Sequence, residues 1–196
     1  MNAPAPLDEE QLRVLGETRT LSRKLRFARG IALANVVSLG SASAISLLSG
    51  LFEGSFSFFG VLLGALAWNE SRGRRELAAA DPRATRRLML NQLALLALVL
   101  VYCGHSAYLA WSGPDPLQAL LGQSGEVADV LGELRKQGGE GLDGIAGWAR
   151  TGALIGYAVV AGVSALVQGL TAFYYSSLRG TVEALARAPA WARALQ

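Results

Sequence analysis

The sequence predicts an all-α fold, a polytopic membrane helical bundle with four transmembrane helices and both termini on the cytoplasmic side. Three observations predict it. Hydrophobic residues make up 52% of the 196 positions and charged residues only 17%, a balance suited to lipid rather than to a soluble domain. The charges are also segregated, so that Gly30–Trp68 runs for 39 residues with Glu53 as its single charge. Lys and Arg, finally, fall on alternate connections in the manner that orients membrane helices.

Residues 1–29 read as a cytoplasmic amphipathic segment. Asp8 with Gln11 three positions later makes a capping pattern, and Glu9 and Glu10 follow near the positive end of the helix dipole. Val14, Leu21, Leu25 and Ala28 recur at helical spacing among six Lys and Arg side chains. A cleaved signal peptide fits less well than an anchored helix, because the apolar run continues past the small residues Ser41–Ala44 and the preceding segment carries four acidic residues.

Residues 30–68 form a transmembrane hairpin, with spans at 30–50 and 55–68 joined at Glu53. Ala34, Ser38, Ala42, Ser46 and Gly50 draw a ridge of small side chains along the first span, and Gly60 and Gly64 form GxxxG on the second. Helices in lipid associate by close backbone approach, so these residues are the expected packing faces. The second span is short, about 21 Å at the helical rise of 1.5 Å per residue, and a re-entrant hairpin is the alternative. It returns the chain to the same side.

Residues 69–87 make a cytoplasmic corner rich in arginine. Arg72, Arg74, Arg75, Arg83, Arg86 and Arg87 gather there, and Asp81-Pro82 marks the cap and first turn of the next helix. Anionic lipid headgroups or an acidic partner are the ligands such a corner fits, beside the plainer role of fixing topology. The third span covers 88–111. Residues 112–150 are an acidic extracytoplasmic loop with one amphipathic helix, its six acidic residues outnumbering Arg135 and Lys136 up to Trp148. The fourth span covers 151–175 and repeats the small-residue spacing at Gly152 and Gly156, and 176–196 is a cytoplasmic amphipathic tail.

Counting Lys and Arg, the two termini and the corner hold 15 and the opposite side 3, which places both termini inside. Asn35, Asn91, Gln92, His105 and Gln168 are the intramembrane polar residues. No Asp, Glu, Lys or Arg falls within a predicted span core, so these amides are expected to act as interhelical glue rather than as a solute pathway. His105 is the single histidine and Cys103 the single cysteine. Two residues apart on one helix, they neither share a face nor complete a metal site.

No catalytic triad or nucleotide-binding motif is legible in this order of residues. The expected protein is non-enzymatic, without catalytic, metal or cofactor-binding residues and without nucleic acid as a partner. It is expected to sit in a bacterial inner membrane as an assembly, anchoring or scaffold subunit that self-associates or binds a membrane partner. An oligomeric small-solute or ion channel or transporter is the alternative.

Overall fold

The computed structural model describes residues 8–50, 54–113 and 139–194, and every element among them is helical. The elements are α1 (Glu9–Gly50), α2 (Gly54–Ala78), α3 (Arg83–Ser112), α4 (Gly139–Ser177), α5 (Arg179–Arg187) and α6 (Ala190–Ala194). Three stretches are long and apolar enough to cross a membrane: α1, α3 and Arg150–Arg187. They fit a membrane helical bundle. The helix α2 is not one of the three.

The predicted amphipathic segment and first span form one unbroken helix of 42 residues. It starts where the capping pattern places it: the Gln11 amide N–H donates to Asp8 Oδ1 at 2.7 Å, and the Asp8 N–H donates to Gln11 Oε1 at 3.2 Å. The corner between α2 and α3 is equally local in origin. Ala80 takes a left-handed φ of 54°, which ends α2. The Arg83 N–H then donates to Asp81 Oδ1 at 2.8 Å, so Asp81 caps α3 with Pro82 in its first turn.

The chain divides into two compact units, one of Met1–Leu95 with Gln168–Gln196 and one of Leu96–Val167. In the first, α1 and α2 run antiparallel in close contact. A Cβ on Gly60 would lie 2.7 Å from Leu47 Cγ and 3.0 Å from the Leu47 backbone nitrogen, and Ser43 Oγ donates to the Gly60 carbonyl at 2.7 Å. Only glycine permits that approach. Below this seam, Leu25, Ala28 and Ala32 of α1 meet Leu77, Ala84, Leu88, Tyr175, Leu178 and Val182 in one buried cluster. Phe27 packs edge-on against Tyr174 at 6.1 Å between ring centroids.

The second unit holds the later part of α3 and the earlier part of α4. Arg150 Nη2 donates to the Gly113 carbonyl at 3.2 Å, and Cys103 is buried. Large apolar side chains point outward on both helices, among them Val101 and Tyr108, and Ile155, Val159 and Leu166. None of the most apolar stretch of α4 is buried. The predicted helix of the acidic loop, at 117–134, lies outside the described residues, as does the turn at Glu53.

Candidate functional site: a carboxylate held by four helices

Along α2 the buried positions are Gly60, Ala67, Glu70, Gly73 and Leu77, a seam at helical spacing of small or apolar residues with one carboxylate in it. The spacing turns Glu70 inward, and its neighbours Arg72 and Arg75 outward. Glu70 is 0% exposed. Burying a charge is costly unless hydrogen bonds replace its water, and three other helices supply them.

Glu70 Oε1 accepts from Asn35 Nδ2 of α1 at 3.2 Å, from Gln92 Nε2 of α3 at 3.1 Å and from the Tyr175 hydroxyl of α4 at 3.2 Å. Glu70 Oε2 accepts from Asn91 Nδ2 of α3 at 2.7 Å. The hydrogen bonds continue from Asn91 toward the corner. Asn91 Nδ2 also donates to the Leu66 carbonyl, while Asn91 Oδ1 accepts from Asn69 Nδ2 at 2.9 Å. Arg87 then donates to Asn69 Oδ1 at 3.2 Å and to Glu76 Oε2 at 2.8 Å. A hydrogen-bonded chain thus runs from a half-exposed ion pair to a fully enclosed carboxylate.

All four groups on the carboxylate are neutral donors, and Glu70 makes no ion pair among the described residues. The carboxyl group is met by dipoles alone. Gln92 is also 0% exposed, and its Oε1 has no hydrogen-bond partner. The site is therefore rich in donors and contains one idle acceptor beside the carboxylate.

Three of the five polar residues singled out in the sequence, Asn35, Asn91 and Gln92, meet at this point. Gln168 is half-buried and His105 exposed, and neither is among the four donors to Glu70. Glu70 itself is not among the residues the sequence singles out. Its signal was the period of the α2 seam, which continues from Gly60 and Gly64 through Ala67 to Gly73 and Leu77.

Of the predicted packing residues, Gly64 faces Ser43 Oγ, which would stand 3.0 Å from an added Cβ, and Gly50 meets the Ser57 backbone. Ala42 and Ser46 are half-buried, whereas Ala34 and Ser38 are exposed. The α1 side of the seam is carried instead by Ala32, Leu39 and Ser43. Gly152 and Gly156 have open space around them. Of the corner arginines, Arg72 and Arg87 both pair with Glu76, and Arg75 lies 5.7 Å above the Trp68 ring. Arg83 and Arg86 are exposed, while Arg74 is half-buried with an unpartnered Nε.

Among the described residues no group of three or more His, Cys, Asp or Glu side chains is placed to hold a metal ion. No family model, curated protein or solved structure matches the chain. The functional reading rests on the geometry.

Proposed function

We propose that this chain is a non-enzymatic integral membrane protein that serves as an assembly, anchoring or scaffold subunit. One observation carries the reading: apolar side chains cover the outside of the membrane-length helices while polar groups are spent on one another within. Lipid or a partner helix is the environment that pattern fits. A carboxylate tied to four helices at once makes a fixed joint, since no member can leave without stranding its partners.

In this reading the chain crosses four times, with α2 as the short or re-entrant second crossing and both termini cytoplasmic in a bacterial inner membrane. Amphipathic helices flank the bundle at the N-terminus, in the outer loop and at the C-terminus. The open glycines Gly152 and Gly156 are available to a second copy or another membrane helix. The outward arginines Arg83 and Arg86 suit acidic headgroups or an acidic partner.

A second reading, an oligomeric channel or transporter, is favoured by Glu70, because an ionisable group enclosed among membrane helices is a coupling site in many transporters. Reconstitution in liposomes separates the two. Flux of a small solute or ion abolished by E70Q or by His105→Ala would overturn the scaffold reading; a membrane partner or second copy retained on crosslinking, with no flux, supports it. Topology is read by labelling single cysteines at positions 53, 79 and 130 after replacing Cys103, and labelling of position 79 from outside would reverse the orientation.

A further inference from the structure

A cavity of about 500 Å³ opens between the N-terminal half of α1, the end of α2 and the α5–α6 tail. Leu25, Leu77 and Leu185 give it apolar walls, and Arg26 and Arg29 bring two positive charges; among the described residues no Asp or Glu lines it. Neither arginine makes an ion pair among the described residues. Arg29 is half-buried and its Nε is enclosed without a hydrogen-bond partner, although elsewhere in the molecule exposed arginines such as Arg13 and Arg179 find carboxylates.

The register of the α1/α2 pair adds a third charge at the same level. Ser43 faces Gly60, and fourteen positions farther from the hairpin on each helix stand Arg29 and Arg74. Arg74 Nε is likewise enclosed and unpartnered. Two guanidinium groups with idle N–H donors at one level, beside a groove without acidic lining, form a setting that an anion completes. A phosphodiester matches their fork geometry.

We infer that this groove binds the phosphate of an anionic phospholipid headgroup, with Arg26 and Arg29 on the phosphate oxygens and the first carbons of the acyl chains against Leu25, Leu77 and Leu185. The inference rests on the membrane reading above. It favours lipid over free phosphate because the groove adjoins Gly30, where the apolar run begins, and because half of such a ligand is apolar. The tail closes one wall, so an occupied groove ties α5 and α6 to α1.

The test is native mass spectrometry of the full-length protein in a neutral detergent with equal amounts of dimyristoyl phosphatidylglycerol and phosphatidylcholine. Phosphatidylglycerol is expected to stay bound in preference, and R26Q/R29Q to lower its retention about thirtyfold, since two cationic contacts of about 1 kcal/mol each are lost together. R26K/R29K should keep most of the binding, and R13Q, at an exposed arginine paired with Glu10 near the start of α1, all of it. A190W, which sets an indole on the cavity lining and leaves both arginines in place, should block binding even where the double glutamine variant folds poorly. Equal retention of phosphatidylcholine, competition by inorganic phosphate at millimolar concentration, or unchanged binding in both R26Q/R29Q and A190W would overturn the inference. Alkaline carbonate extraction reads the underlying assumption separately: release of the protein from membranes defeats the membrane reading, whereas loss of lipid preference alone defeats only the groove.

Discussion

Asn91 Nδ2 lies 2.7 Å from Glu70 Oε2, and the same amide's Oδ1 accepts a hydrogen bond from Asn69 Nδ2. One side chain of α3 thereby fixes two successive residues of α2. The arrangement is directional: Asn91 gives to the buried acid and receives from the side of the corner. Its orientation is set at both ends, which holds α2 and α3 in a single register.

The carboxylate should be hard to replace even by its own amide. Glu70 Oε1 serves three donors and Oε2 one, so the amide nitrogen of E70Q is expected to face Asn91, donor against donor. Leaving a buried donor unsatisfied costs about 1 to 3 kcal/mol. E70Q should therefore lower stability by an amount in that range, and E70A by more, in thermal unfolding of the detergent-solubilised protein. An E70Q variant as stable as the parent would mean that the four bonds contribute nothing net.

Tyr175 contributes one of those bonds from the chain's last long helix. Y175F keeps the ring in its buried place and removes only the hydroxyl, at an expected loss of about 1 kcal/mol. Because both groups share one network, E70Q/Y175F should lose less than the sum of the single variants. Strict additivity in the double-mutant cycle would show the two to be energetically independent.

Close approach makes a sharper contrast between glycines. G60A sets a methyl group 2.7 Å from Leu47 Cγ and 3.0 Å from backbone, and overpacking of this kind costs about 1 to 3 kcal/mol. G156A meets nothing within 4 Å, and should leave unfolding unchanged while weakening crosslinking between copies if that face is an assembly surface. Equal effects of the two on unfolding would contradict the packing described for α1 and α2.

The two arginines on Glu76 are predicted to differ. The Arg72 side chain is 59% exposed and that of Arg87 30%, and only Arg87 also holds Asn69. R72Q should change stability by less than about 0.5 kcal/mol, as solvent and salt screen the exposed pair. R87Q should cost about 1 kcal/mol, because it also frees the amide that orients Asn91. Raising salt to 1 M should erase what effect R72Q has and leave most of that of R87Q.

Local chemistry was legible from the residues alone. Asp8 with Gln11 and Asp81-Pro82 each announce a helix start that depends on nothing beyond a few neighbours, and Gly60 and Gly64 announce a close contact. The partner of that contact was less legible. The ridge Ala34-Ser38-Ala42-Ser46-Gly50 follows a strict four-residue step, which drifts around a helix of 3.6 residues per turn, so it meets α2 at Gly50 while the buried positions of α1 include Ala32, Leu39 and Ser43. Glu70 was hidden by its company. Lying two residues before Arg72, it reads as part of a solvated charge run; the period of the α2 seam turns it inward, but what holds it there comes from Asn35, Asn91 and Tyr175, distant in the chain. A buried charge is recognised by its partners, and partners are tertiary information.

The unbroken course of α1 has a mechanical consequence. At 1.5 Å per residue its 42 residues extend about 63 Å, roughly twice the hydrocarbon thickness of a bilayer. The helix is held at Ser43, at Asn35 and, farther down, by the buried Leu25, Ala28 and Ala32, so one rigid rod couples the hairpin, the Glu70 joint and the cluster below it. A few degrees of tilt on the hairpin side would swing the far end near Glu9 by several ångströms.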